Sequence, residues 1–140
     1  MYRFFIICMV SLLAVVGKDT LADELVVVTH PQSSIGELSR QQASHIFLGR
    51  LRQLPSGERV TVVDVEPLRA VFYERLVGRN LAEINAYWAR LQFSGRTQPP
   101  LRVASAQEAI EMVLDSRSAI AFVRADQLDP RARVVMRLGP

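Results

Sequence analysis

Charged side chains cluster where the apolar segment RVTVVDV passes into PLRAVFYERLVG. Asp64 and Glu66 stand at this junction, and Arg69 follows three residues after Glu66. A guanidinium beside a strand end could clamp an anion, whereas two carboxylates in the same place oppose one. Because carboxylates near a helix start stabilise the helix, we expect Asp64 and Glu66 to have that role. We expect Arg69 to lie on the surface, paired with Glu66 or Glu74, and an anion clamp is the alternative.

A second polar group follows the first predicted strand. This strand, in ELVVVTHP, ends near Pro31, and His30, Ser33 and Ser34 lie on either side of that proline. Sheets of α/β proteins commonly bind ligands in the crevice beyond the carboxyl ends of their strands. The three side chains are therefore candidate ligand contacts, and polar turn residues without a ligand are the alternative.

The sequence lacks the patterns that catalysis and metal binding require. His30 and His45 are its only histidines, and they are not spaced with acidic residues as metal ligands are. His45 lies among apolar positions of a predicted helix, which indicates a partly buried side chain. No nucleophile elbow and no glycine-rich phosphate loop is present. We therefore expect a protein that is not an enzyme and that needs no cofactor or metal.

The first 22 residues differ in composition from the rest of the chain. Arg3 precedes an apolar run of about 14 residues, and small residues stand at Thr20 and Ala22. This pattern is typical of a secretory signal peptide, here cleaved between Ala22 and Asp23. An uncleaved membrane anchor is the alternative, although the run is shorter than the roughly 20 residues of a spanning helix. We expect a periplasmic product with no stable membrane insertion after cleavage.

The charges of residues 23–140 are mixed in sign. Without Arg3, Lys18 and Asp19, the 17 basic and 14 acidic residues become 15 and 13, and all 15 basic residues are arginine. They are scattered among the acids, which favours a solvated surface with ion pairs over a stripe that binds nucleic acid. No cysteine remains, so the core must stabilise the fold without disulfides.

Apolar periodicity predicts alternating strands and helices. The predicted strands lie in ELVVVT, RVTVVDV, SAIAFV and ARVVMRL. The predicted helices are SRQQASHIF after Ser39, PLRAVFYERLV, NLAEINAYWARLQF from Asn80, and SAQEAIEMVLDS with a capping box of Ser105 and Glu108. This alternation favours one α/β domain, residues 23–140, built as a three-layer sandwich with a largely parallel sheet.

The segment AYWARLQFSGRTQPP contains the only tryptophan of the chain. Ile84, Tyr87, Trp88 and Leu91 stand at helical spacing i, i+3, i+4 and i+7. Such spacing predicts one apolar stripe that packs on the sheet rather than an aromatic binding surface.

Four segments resemble, in the same order, the second half of the periplasmic phosphate-binding proteins of ABC importers. They are LSRQQASHIFLGR, VFYERLVG, AYWARLQFSGRTQPP and SAIAFV, within roughly residues 25–125. The resemblance implies the fold of one lobe of a type 2 periplasmic binding protein, in a chain about half as long. It also implies binding of a small solute for a membrane transporter.

The resemblance further implies where an anion would be held. In that family, Arg-x-Asp-Gly-Ser-Gly-Thr grips the anion at a strand-to-helix junction, through backbone amides and hydroxyls at the helix N-terminus. Aligned on Phe72, this sequence has Val62, Asp64 and then Val65-Glu66-Pro67-Leu68 there, so only the aspartate matches. We therefore expect the phosphate grip to be largely absent.

Two functions remain open on the sequence. The first is an exported solute-binding-like protein related to phosphate importers, acting alone or as one lobe of a homo-oligomer. The second is an interaction or regulatory module that kept the fold and binds a protein, such as a transporter or sensor component of the membrane.

Overall fold

The computed structural model describes residues 23–95 and 97–140. The predicted signal peptide, residues 1–22, lies outside the described residues. Within the described ranges, no helix is both long enough and apolar enough to cross a membrane.

Residues 23–95 and 97–140 form five strands and four α-helices. The four predicted strands and four predicted helices are all present, whereas the short strand Leu101–Val103 was not predicted. The strands are β1 Leu25–Thr29, β2 Thr61–Val65, β3 Leu101–Val103, β4 Ala119–Arg124 and β5 Arg133–Leu138. The helices are α1 Arg40–Phe47, α2 Arg69–Val77, α3 Leu81–Phe93 and α4 Ala106–Asp115. A short 3-10 turn, Glu66–Leu68, joins β2 directly to α2.

The strands form one mixed sheet in the order β3-β2-β4-β1-β5. β2 pairs in parallel with β3 and β4, whereas β1 pairs antiparallel with β4 and β5. Of these five strands, four therefore point the same way and β1 alone is reversed, which confirms a largely parallel sheet. The reversal of β1 was not predicted, because a strand buried on both faces reads as one apolar run in either direction.

Helices cover both faces of the sheet. The chain passes from β2 through α2 and α3 to β3, and it returns through α4 to β4 on the other side of β2. Crossovers between parallel strands are right-handed. The connections β2 to β3 and β3 to β4 run in opposite directions across the sheet, so their helices lie on opposite faces. On one face, Phe72 of α2 stacks on Phe122 of β4 at 3.8 Å between ring centroids. The predicted three-layer α/β sandwich is confirmed.

The predicted helix ends are found close to the expected residues. Ser39 and Gln42 form a full capping box at the start of α1. The Ser105 hydroxyl accepts a hydrogen bond from the Glu108 backbone at 3.3 Å, so this half of the predicted box is present. Gly78 ends α2 with a φ of 67°, a conformation that favours glycine.

The aromatic stripe of α3 packs on the C-terminal end of α1. The Tyr87 hydroxyl donates to the Leu48 carbonyl oxygen at 2.6 Å. Trp88 is 3% exposed, and it lies so close to Gly49 that a Cβ there would stand 2.8 Å from the indole. The prediction that Trp88 is buried is confirmed, whereas its contact with the end of α1 was not foreseen.

Candidate functional site

Buried polar groups gather where β2 and β3 end. Asp64 of β2 and Arg69, the first residue of α2, are each only 1% exposed. Arg102 of β3 lies beside Asp64 in the strand register. The 3-10 turn after β2 brings α2 back against this strand end. The crevice beyond parallel strand ends is the usual ligand position in an open α/β sheet.

The buried polar side chains at this strand end are hydrogen-bonded to one another. Arg69 Nε donates to Asp64 Oδ2 at 3.1 Å, and the Tyr73 hydroxyl lies 3.0 and 3.1 Å from the two oxygens of the same carboxylate. Arg69 Nη2 donates to Asn85 Oδ1 of α3 at 3.1 Å. We call Asp64, Arg69, Tyr73 and Asn85 the strand-end cluster.

A second layer of charge lies above the strand-end cluster. Glu66 Oε1 is 3.9 Å from Arg69 Nη1, and Glu66 Oε2 is 3.7 Å from Arg102 Nε. The side chains of Glu66 and Arg102 are about half exposed, at 49% and 48%. The two arginines here are therefore matched by two carboxylates, so the crevice offers an anion no net positive charge.

Two of the predicted roles at this junction are wrong. Asp64 is no helix-start carboxylate, since it is buried in β2 and accepts hydrogen bonds from α2. Arg69 is not a surface residue, although its expected contact with Glu66 exists as a longer pair. The reason is the turn at Pro67, which directs the first residue of α2 inward under the strand end. Glu66 does lie exposed in the first turn, as expected.

His30, Ser33 and Ser34 lie at the other end of the sheet. Because β1 is reversed, its last residue, Thr29, pairs with Ile120 near the start of β4. The structure therefore does not bring these three residues together with the strand-end cluster.

The loop that contains these residues is held by hydrogen bonds of its own. His30 Nδ1 accepts from the Gln32 backbone at 2.9 Å, and Ser33 Oγ accepts from the Ile35 backbone at 3.1 Å. Ser34 is exposed. These contacts favour the alternative that they are polar turn residues.

Burial changes the proton affinity of the strand-end cluster. Loss of water raises the pKa of Asp64 from 3.8 to about 6, against the opposing effect of the hydrogen bonds from Arg69 and Tyr73. Burial and the neighbouring Asp64 carboxylate raise the pKa of Tyr73 well above 10. The phenol therefore stays protonated and remains a donor to Asp64.

The raised pKa of Asp64 predicts how stability varies with pH. Between pH 6 and pH 3.8 the folded chain binds a proton at Asp64 that the unfolded chain does not, so this group stabilises the fold more as pH falls. Asp64→Asn cannot titrate and is the control. We expect the free energy of unfolding of wild type to rise relative to Asp64→Asn by about 1–3 kcal/mol between pH 7 and pH 4 in urea titrations. A relative fall would contradict this sign.

Sequence reasoning missed three residues of this region. Tyr73 stands four residues after Arg69 on the same helix face. A prediction that Arg69 is buried would therefore have placed Tyr73 beside it. Asn85 and Arg102 come from α3 and β3, and no local pattern connects them with Asp64. Among residues 23–95 and 97–140, no group of three or more His, Cys, Asp or Glu side chains could hold a metal ion.

Solved structures that resemble this fold include two phosphate-transport proteins. One is an ABC-type phosphate transport receptor from Vibrio cholerae, with a TM-score of 0.56, 18% identity, and coverage of 84% of this chain and 47% of the receptor. The other is a putative phosphate ABC transporter substrate-binding protein from Clostridium perfringens, solved with bound phosphate. Its TM-score is 0.65 at 18% identity, over 83% of this chain and 46% of that protein. The chain shares its fold with phosphate receptors.

This likeness confirms the predicted resemblance at the level of the fold. The chain spans about half the length of either phosphate receptor. No protein-family model matches the sequence, and no curated protein matches it. At 18% identity the phosphate-receptor fold is established, whereas function has to be argued from the residues of the site.

Proposed function

We propose that this chain is an exported, non-enzymatic, solute-binding-like domain of the phosphate-receptor fold whose strand-end anion position is closed by its own side chains. The buried ion pair of Arg69 and Asp64 supports this proposal most directly, because the guanidinium already faces a carboxylate of the same chain. Export to the periplasm rests on the composition of residues 1–22, which predicts cleavage between Ala22 and Asp23.

An incoming phosphate would meet three obstacles at this position. It would have to displace Asp64 from a guanidinium that is 1% exposed. It would approach Glu66, whose carboxylate is half exposed. Pro67 also lacks the N–H group that a helix start otherwise offers to an anion. Each charge-assisted hydrogen bond contributes roughly 1.5–3 kcal/mol, so losing three would weaken a micromolar site beyond about millimolar.

Titration with phosphate tests the closed position. We expect calorimetry of residues 23–140 to show no dissociation constant for phosphate tighter than about 1 mM. Glu66→Gln is the informative variant, because removing the exposed carboxylate should raise any residual affinity. Micromolar binding that disappears in Arg102→Gln, an exposed position, would instead make the chain a phosphate receptor with a rebuilt site.

A second candidate is the interaction or regulatory module, which the sequence left open. Phe93 at the end of α3 is 97% exposed, and a protein partner seated there would remove its ring from water. A photo-crosslinking residue at position 93 should then capture one transporter or sensor component in the producing cell. The same residue at position 117, an exposed turn position, should capture none.

A further inference from the structure

A cavity of about 630 Å³ lies away from the strand-end cluster, at the opposite end of β2. Its walls are the loop after α1, the C-terminal half of α3, and the segment from Thr97 to Leu101 that leads into β3. Thr61 and Val62, at the start of β2, also line it. The volume falls within the roughly 300–1,000 Å³ that is usual for small-molecule sites.

The lining of this cavity combines apolar and cationic side chains. Leu51 and Leu101, 43% and 52% exposed, give it accessible apolar surface beside the buried Trp88, and the exposed Arg52 and Arg59 also line it. None of the described lining residues is acidic. Within the part of the chain that the structure describes, neither arginine makes an ion pair. The arginines of the strand-end crevice, by contrast, are balanced by Asp64 and Glu66.

A hydrogen bond holds the Arg52 guanidinium at the cavity wall, because Arg52 Nε donates to the Gly49 carbonyl oxygen at 3.2 Å. Gly49 in turn lies against the indole of Trp88. A guanidinium fork is suited to a carboxylate, so Arg52 and Arg59 favour a ligand that brings acceptors.

We propose that this cavity binds an organic carboxylate with an apolar body. The carboxylate would be held by Arg52 and Arg59, and the apolar body would cover the exposed Leu51 and Leu101 beside Trp88. Inorganic phosphate would gain nothing from that apolar surface, so the apolar part of the ligand provides the selectivity. This inference deepens the proposed function by naming a ligand class, and it rests on that function only for the role of the domain as a solute binder.

Tryptophan fluorescence provides the test, because Trp88 lines the cavity and is the only tryptophan of the chain. The probe is octanoate, and octanamide is its uncharged counterpart. We expect octanoate to change the Trp88 emission along a saturable curve, and octanamide to bind at least about tenfold more weakly. No saturable change up to about 10 mM octanoate, or equal affinities for the two probes, would overturn the inference.

Paired variants decide whether the two rim arginines hold the carboxylate. The double variant Arg52→Gln/Arg59→Gln should weaken octanoate binding at least about tenfold and leave octanamide binding unchanged. Arg79→Gln, at an exposed position between α2 and α3 that does not line the cavity, is the matched control and should bind octanoate as wild type does. Unchanged octanoate affinity in the double variant would overturn the inference.

The outcomes for the two sites can be separated. Phosphate should leave the Trp88 emission unchanged. Micromolar phosphate binding by calorimetry together with octanoate binding at Trp88 would contradict the closed strand end and support the cavity site. If neither ligand bound, the closed strand end would be supported and the cavity site would be contradicted.

Discussion

Replacing Arg69 by methionine is expected to lower the free energy of unfolding by about 3–5 kcal/mol at neutral pH. Methionine retains an apolar stem but removes the guanidinium that faces Asp64 at 3.1 Å. Asp64, 1% exposed, would keep only the Tyr73 hydroxyl as a side-chain donor among the residues that the structure describes. A buried carboxylate without its cation is among the most destabilising changes in a folded chain, and urea unfolding measures the loss directly.

Arg102→Met is the matched control for this variant. Arg102 belongs to the same crevice, but its side chain is 48% exposed and its pair with Glu66 is long, at 3.7 Å. We expect it to cost less than about 1 kcal/mol. The deficit of Arg69→Met should also shrink near pH 5, because a protonated Asp64 carries no charge. Equal losses in the two variants would contradict the buried ion pair.

Replacing Trp88 by alanine is expected to lower the free energy of unfolding by about 3–5 kcal/mol, as truncation of large core side chains does. Trp88 is 3% exposed, and its indole fills the space beside Gly49. Its removal would leave a cavity that the neighbouring groups cannot fill. Thermal or urea unfolding of residues 23–140 measures this effect.

Phe93→Ala is the control on the same helix. Its ring is 97% exposed, so we expect its removal to change stability by less than about 0.5 kcal/mol. If Trp88→Ala unfolded like wild type, the tryptophan would be a surface residue and the packing of α3 on the end of α1 would be wrong.

Much of the fold could be predicted because its signals are local. Ser39, Asn80 and Ser105 cap helices at the predicted residues, since a cap depends on a few neighbouring side chains. Trp88 could be assigned to the interior from spacing alone. The direction of β1 could not, because the order and direction of strands depend on long-range pairing and not on the β1 sequence.

The candidate site was less predictable, for a physical reason. Sequence patterns place a charged residue on the surface by default, since burying an arginine is unfavourable unless a partner compensates it. The compensating groups for Arg69 come from β2, the 3-10 turn and α3, and only the tertiary fold brings them together. The sequence itself predicts a missing Gly-Ser-Gly-Thr grip, in contrast, because Val65-Glu66-Pro67-Leu68 stands where the family resemblance implies that motif.

The side-chain Nε–H resonance of Arg69, followed by ¹⁵N NMR during phosphate titration, tests most directly whether Asp64 closes the anion position. The resonance can be assigned by its loss in Arg69→Met. With Asp64 as its acceptor, it should exchange slowly with water and keep its shift up to about 5 mM phosphate. A shift that saturates at micromolar phosphate would show that the guanidinium releases Asp64 to bind the anion, and the closed strand end would be refuted.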